Sequence, residues 1–276
     1  MCSLKVIFLS AGYGTRLQRD IEQDISGKYS SLLGLPKALV PLGNYDALLT
    51  RWWELLQQFE KSSTTSLKFK LDNVYIITNE THHTRFQDWA SKHNFPRKNI
   101  FNNHTLTNET RLGAVKDLEL SINSYGSLEN TLVIGADILL LKDFELENFF
   151  THFSTFKTSL TTHYVVTDTQ KNGILELDNS NCISNFLEKP KLDETNSRFA
   201  CPCFYLFKKE DLKLIKLFLA EMSQQRVSKE ATDAPGNLIK WLYKKTTIHS
   251  VPITGRLDIG GLDSYVEADE YCKEYF

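Results

Sequence analysis

The sequence predicts an α/β fold: a mixed, mostly parallel sheet flanked by helices, with antiparallel hairpins added in its second half. Three observations lead there. Short β-branched runs alternate with segments of helical apolar spacing over the first 137 residues. The first of those runs ends in a glycine-rich turn. Beyond residue 157 the strand-like segments crowd together, with only turn residues between them. Alternating strands and helices favour a parallel sheet covered on both faces, because each crossover lays a helix against it. Closely spaced strands favour hairpins.

Taken in order, Lys5–Ser10 is a β-branched and apolar run closed by Ala11-Gly12-Tyr13-Gly14-Thr15-Arg16, a strand followed by a tight turn. Residues 17–35 are polar and mixed, with Gly27 and Gly34, and read as a loop. Leu48, Leu49, Trp52, Trp53, Leu56 and Phe59 recur at helical spacing, so Asp46–Phe59 is a helix whose Trp pair serves packing. Thr64–Leu71 reads as a polar connector, Val74–Thr78 as a strand, and Thr81–His93 as a helix carrying His82 and His83 on its surface. Arg111–Ile122 fits a helix and Thr131–Gly135 a short apolar strand ending at Ala136-Asp137. A helix over Glu145–Phe156 precedes strands at Ser159–Thr167, Ile174–Leu177, Cys182–Leu187 and Cys203–Phe207. Helices at Lys209–Met222 and Pro235–Lys244, a strand at Thr246–Val251 and a helix from Leu262 complete the reading. With no repeat, no low-complexity tract and no long linker, the expectation is one domain over residues 1–276, built as halves 1–140 and 141–276.

Composition narrows the partners. The 276 residues are 41% hydrophobic and 24% charged, enough apolar material for a sizeable core. A net charge of −2 implies no basic surface, so nucleic acid is not expected as a partner. No apolar run reaches the ~18 residues of a membrane span, and the opening Met1–Leu9 segment runs into a strand without a cleavage signal, so no membrane or secretory route is expected. Five cysteines (Cys2, Cys182, Cys201, Cys203, Cys272) are an odd number without framework spacing, which agrees with a cytoplasmic protein. Cys201-Pro202-Cys203 lacks the second pair a zinc site needs, and the seven histidines form no ligand pattern.

The glycine turn carries the first chemical signal. In open α/β sheets, ligands bind beyond the carboxyl ends of strands, and glycines let backbone N–H groups approach an anion closely. Arg16 adds a forked, permanent cation suited to phosphate. Two familiar phosphate motifs fail. Gly27-Lys28 is followed by Tyr29 and has no glycine five residues ahead, so there is no P-loop. Gly12 and Gly14 are followed by Leu17 where a dinucleotide fingerprint has its third glycine.

A longer set of blocks resembles a known family. Leu9-Ser10-Ala11-Gly12-Tyr13-Gly14-Thr15-Arg16-Leu17, then Pro36-Lys37, is similar to the L-x-A/G-G-x-G-T-R-L … P-K signature of the sugar-phosphate nucleotidylyltransferases, or sugar nucleotide pyrophosphorylases. Arg111-Leu112-Gly113-Ala114 resembles the L-G-T-A turn of that family, Gly135-Ala136-Asp137 its metal-binding acid, Phe186-Leu187-Glu188-Lys189-Pro190 its F-x-E-K-P block, and Gly255–Gly260 its G-x-W-x-D-x-G segment. The blocks follow the family's order. The resemblance implies a Rossmann-like, GT-A-like nucleotidyltransferase fold with a nucleotide-binding half, 1–140, and a sugar-phosphate-binding half, 141–276. It implies the reaction of an NTP with a sugar 1-phosphate to give an NDP-sugar and pyrophosphate, with Mg²⁺ as cofactor. It implies roles as well. Leu9, Ala11, Gly12, Gly14, Thr15 and Gly113 would hold the nucleotide. Arg16 would steady the β- and γ-phosphates, and Lys37 the α-phosphate. Asp137 and Asp258 would bind the metal. Gly173, Glu188 and Lys189 would receive the sugar phosphate. Two carboxylates completed by water and phosphate oxygens suit magnesium, a hard octahedral cation.

The sequence departs from the pattern in places. Asp20–Leu35 lengthens the gap between Arg16 and Lys37 and is open to two readings, a lid or a contact between identical copies of the chain. Cys203 stands where family members often carry glycine, and Arg256-Leu257 replaces the usual Trp ahead of the second acid. Asp233-Ala234-Pro235-Gly236-Asn237 fits either a helix start with an early proline or a further substrate loop. Three other functions compete: a silent subunit that senses an NDP-sugar, a nicotinamide-dependent dehydrogenase, and a cytidylyltransferase for choline phosphate or another alcohol phosphate. Joint retention of Arg16, Lys37, Asp137, Lys189 and Asp258 argues against the first, the missing third glycine against the second, and the Glu188-Lys189-Pro190 block against the third.

Overall fold

Hydrophobic alternation in two central strands organises the molecule. In a computed structural model describing residues 3–65, 67–225 and 230–276, strand β1 (Ser3–Leu9) is followed by α1 (Thr15–Glu22), α2 (Leu48–Ser62), β2 (Lys68–Thr78), α3 (Glu80–Lys92), β3 (Ile100–Asn102), α4 (Ala114–Ser124) and β4 (Asn130–Gly135). Then come β5 (Ile138–Leu140), α5 (Leu146–Phe156), β6 (Ser159–Val165), β7 (Gly173–Leu177), β8 (Ile183–Glu188), β9 (Phe199–Cys201) and β10 (Phe204–Phe207). The chain continues through α6 (Lys209–Leu212), α7 (Leu214–Gln224), α8 (Glu230–Asp233), α9 (Pro235–Leu242), β11 (Ile248–Pro252), β12 (Arg256–Asp258) and α10 (Leu262–Tyr275).

One sheet runs β3-β2-β1-β4-β10-β6-β9-β7-β8, with β11 beside β6. Strands β3, β2, β1 and β4 are parallel, whereas β10, β6, β9, β7 and β8 join antiparallel, as the crowded second half predicts. Because side chains alternate along a strand, Val6, Phe8, Leu132 and Ile134 enter the core under α2, α3, α5 and α10. Ile7 and Val133 enter the opposite core under α4, α7 and α9. The chain leaves β1 for β2 on one side and reaches β4 on the other, so the carboxyl ends of β1 and β4 flank a switch in strand order, where such sheets hold ligands.

Several expectations are corrected. Residues 15–22 form a helix rather than loop; only Leu17 and Ile21 face inward, too few apolar positions to show a period. The supposed connector 64–71 instead supplies the start of β2, where Phe69 and Leu71 alternate with exposed lysines. Arg111–Gly113 precede α4 instead of belonging to it. His82 is buried, its Nδ1 accepting from Asn79 Nδ2 at 3.2 Å, rather than on the helix surface. Strands β3, β5, β9 and β12 have three residues each and carry no periodic signal. Trp52 packs as expected and also donates its indole N–H to the Ile138 carbonyl at 2.9 Å, fixing β5 against α2. Cys2 lies outside the described residues; Cys182, Cys201, Cys203 and Cys272 are free thiols. Among the described residues, no helix is long and apolar enough to cross a membrane.

Candidate active site

Two neighbouring strands deliver the glycine turn and the first acid to the same level. Leu9 of β1 pairs with Gly135 of β4, and the Ala136 N–H donates to the Leu9 carbonyl at 3.2 Å. Beyond Leu9, Gly12 has open space where a Cβ would be. Gly14 adopts φ 63°, ψ 22°, a left-handed conformation that favours glycine, and so turns the chain into α1 with Thr15 as its first residue.

The second acid arrives through a separate small sheet. Strand β12 pairs antiparallel with β5, Asp258 opposite Ile138, and the Ile259 N–H donates to the Asp137 carbonyl at 2.9 Å. Asp137 and Asp258, far apart in sequence, are thereby brought side by side. Lys37 Nζ lies 3.1 Å from Asp137 Oδ2, and Arg256 Nη1 lies 3.2 Å from Asp258 Oδ1. One carboxylate oxygen of each acid is left outside these two pairs. Arg16 reaches the same place: a Cβ built on Gly260 would lie 2.9 Å from Asp258 Oδ2 and 3.5 Å from Arg16 Nη1.

Two cavities meet at this junction. One, of about 250 Å³, is lined by Leu9, Ala11, Gly12, Gly113, Asp117 and Asp137, among others. The other, of about 190 Å³, is lined by Asp137, Gly173, Phe186, Glu188, Arg256 and Asp258, among others. Asp137, Cys203 and Pro235 border both. Pro235 opens a helix, the first of the two readings of that segment, and with Ala234 and Gly236 it lines the second cavity. Burial raises the Glu188 carboxyl above its ordinary value against the pull of Lys189 and Lys240. Burial also drives the Cys201 thiol to about 12 and the Cys203 thiol higher still, which leaves both as inert, uncharged wall groups.

Of the residues singled out from the sequence, Leu9, Ala11, Gly12, Gly113 and Asp137 border the first cavity, and Gly173, Glu188, Asp137 and Asp258 the second. Gly14, Thr15, Arg16 and Lys37 are outside both linings, but Lys37 pairs with Asp137 and Arg16 approaches Asp258 beside Gly260; a Cβ built on Gly14 would lie 3.5 Å from Lys37 Cγ. Lys189 is not brought in: it stands at φ 50° outside both linings, its side chain 60% exposed and its Nζ 4.0 Å from Glu188 Oε1. Gly113 has a packing reason for its size. It adopts φ 93°, and a Cβ there would meet the Thr232 carbonyl at 3.0 Å.

Other polar groups stand in these walls, some inside quoted blocks but none with a role assigned from the sequence. Arg111 Nε donates to Asp233 Oδ2 at 2.9 Å across the first cavity. Asp117, 7% exposed, accepts from Asn103 Nδ2 at 2.7 Å. Arg256 is half-buried beside Tyr164, its Nε shielded from solvent without a hydrogen-bond partner. Only the replacement of the usual Trp could have drawn attention to it.

A parallel sheet with a glycine turn and an acid at its switch point, extended by antiparallel strands that wall a second cavity, is the architecture of nucleotidyl-transferring enzymes. The chain belongs to the nucleotidyl transferase family, whose model matches residues 36–274, a span holding Lys37, Asp137, Glu188, Lys189 and Asp258 but not the glycine turn. The fold is similar to that of a Bacillus anthracis protein assigned as a glucose-1-phosphate thymidylyltransferase and solved with sucrose, at 18% identity and TM-score 0.70, over 98% of this chain and 96% of that one. It is similar to an apo UDP-glucose pyrophosphorylase at 16% identity and TM-score 0.69, over 99% and 100%. It is also similar to a CTP:phosphocholine cytidylyltransferase from Streptococcus pneumoniae at 17% identity and TM-score 0.67, over 97% and 98%. No curated protein matches the sequence.

Proposed function

We propose that this enzyme joins an NTP to a sugar 1-phosphate, releasing pyrophosphate and an NDP-sugar. The observation that carries the reading is the junction itself: Lys37, Asp137, Asp258 and Arg16 gather where the two cavities meet. The nucleotide would lie against Leu9, Ala11, Gly12, Gly14, Thr15 and Gly113, with its α-phosphorus at the junction. The acceptor would occupy the cavity walled by Gly173 and Glu188. An acceptor phosphate oxygen then attacks the α-phosphorus; that P–O bond forms as the α–β phosphoanhydride bond breaks, and pyrophosphate leaves.

The residues suit this division of labour. The Lys37 ammonium faces the point where charge builds on the α-phosphate, and Arg16 faces the departing pyrophosphate; positioning and charge neutralisation supply most of the rate in phosphoryl chemistry. Lys189 would meet the acceptor phosphate at the cavity rim, and Glu188 the sugar hydroxyls.

Mg²⁺ fits the acids. Among the described residues no cluster of three or more His, Cys, Asp or Glu could cage a metal, but magnesium uses one or two carboxylates and completes its shell with water and phosphate oxygens. Asp137 and Asp258 would hold it, each through the oxygen outside its ion pair. Bound there, the ion would neutralise phosphate charge.

Five NTPs screened against sugar 1-phosphates and phosphocholine, with pyrophosphate as the readout, test the proposal. The expected result is release that needs a sugar 1-phosphate and stops when EDTA removes the divalent ion. Release without an acceptor, or none with any pair, would refute it.

A further inference from the structure

The first cavity is lined by a carboxylate, Asp117, that forms no ion pair among the described residues. Asp117 lies in the first turn of α4, 7% exposed, and lines that cavity. Its Oδ1 accepts from Asn103 Nδ2 at 2.7 Å, and Ser121 Oγ donates to its backbone carbonyl at 2.9 Å. The nearby cation, Arg111, is committed to Asp233 at 2.9 Å. The other charge facing Asp117 is Asp233 itself, of like sign. Burial accordingly holds the Asp117 carboxyl up, near 6, so at neutral pH it is an ionised group in a poorly solvated wall. A buried carboxylate of this kind is stabilised by N–H donors from whatever enters the cavity.

Its position says which part of the nucleotide it meets. Asp137, 40% exposed on its side chain, stands at the junction end with the phosphates. Asp117 borders the first cavity only, on α4 one turn beyond Gly113, whose carbonyl accepts from the Asp117 N–H at 3.0 Å. A nucleotide seated as proposed, with its phosphates at Asp137 and the rest of the molecule running toward Gly113, would turn its base to Asp117.

We infer that Asp117 selects nucleotides whose base carries an exocyclic amine, which are CTP, ATP and GTP, over UTP and dTTP. The inference rests on the proposed seating of the nucleotide in this cavity. An amine points N–H donors at the carboxylate, as in carboxylate recognition of cytosine N4. Uracil and thymine flank their single ring N–H with two carbonyl oxygens, whose lone pairs face the carboxylate and are repelled.

Equilibrium binding of the five Mg–nucleoside triphosphates to the wild-type chain is the test. The best amine-bearing nucleotide should bind at least ~10-fold more tightly than UTP and dTTP, the discrimination expected of one good base contact. In Asp117→Asn, whose amide both donates and accepts, that gap should shrink to within ~3-fold. UTP or dTTP binding as tightly as the best amine-bearing nucleotide in the wild type overturns the inference without any variant. So does a pattern in which dCTP binds far more weakly than CTP and Asp117→Asn removes only that difference, because Asp117 would then read the ribose. Pyrophosphate release separates the two proposals. A chain that prefers amine-bearing bases but transfers nothing keeps this inference and loses the function, whereas one that transfers uridylyl groups fastest does the reverse.

Discussion

The Lys37 ammonium sits 3.1 Å from Asp137 Oδ2, joining the Pro36–Leu39 turn to the carboxyl end of β4 across a gap between two cavities. Neither partner is deeply buried: their side chains are 23% and 40% exposed. An ion pair of that exposure contributes little to stability, on the order of 0–1 kcal/mol. The small stability contribution leaves room for the chemical role proposed for the pair.

Lys37→Ala and Asp137→Ala should each lower turnover by roughly 10²–10³-fold, the scale of losing one preorganised electrostatic group. Their melting temperatures should stay within a few degrees of the wild type, as a small stability change implies. Steady-state pyrophosphate assays with thermal melts check this, and near-normal turnover in either variant would remove that residue from the chemistry.

Asp117 predicts a pH signature. Its folded carboxyl is raised from 3.8 to about 6 by burial, so the folded chain keeps that proton longer than the unfolded chain does. The sign follows: this group's contribution favours folding below the ordinary carboxyl value and is lost as pH climbs through about 6. The loss is on the order of 2–3 kcal/mol. Asp117→Asn lacks that loss, so urea unfolding at pH 4.5 and pH 7 should show the variant gaining on the wild type at the higher pH. Parallel pH dependence in the two proteins would mean that the carboxyl titrates normally.

Gly173 is a spatial requirement. A Cβ there would fall 2.5 Å from the Phe186 ring and 3.2 Å from Glu188 Oε2, and neither gap accepts a methyl group. Gly173→Ala must displace both side chains, at a cost of about 1–3 kcal/mol for overpacking. The KM for the acceptor should rise roughly 10-fold or more while that for the nucleotide changes little, as expected when only one substrate's binding contacts are lost. An equal rise in both would disconnect this cavity from the acceptor.

How far the sequence led depends on how local each signal is. β1, β4 and the turn at Gly12–Gly14 are legible because apolar strands and glycine punctuation act over a few residues. The places of Lys37, Asp137 and Asp258 came from ordered motifs, and the structure brings those residues together, although β5 and β12, which do so, are too short to leave a pattern. Helix α1 was missed because two apolar residues in eight make no readable stripe. Arg256 and Asp117 gain meaning only from what folding sets around them: an arginine nitrogen with no acceptor, and a carboxylate sharing a cavity wall with an arginine that is paired to another acid. Lys189 shows the converse, a residue conspicuous in its motif whose side chain the structure leaves largely in solvent.

The second acid hangs on a ladder of three residue pairs detached from the main sheet. Its flanks are nevertheless seated in the first core, where Ile138, Leu139, Leu140 and Ile259 are all buried. Warming or dilute chaotrope should therefore leave the two acids in register until that core gives way, so that the proposed chemistry fades with the melt rather than ahead of it.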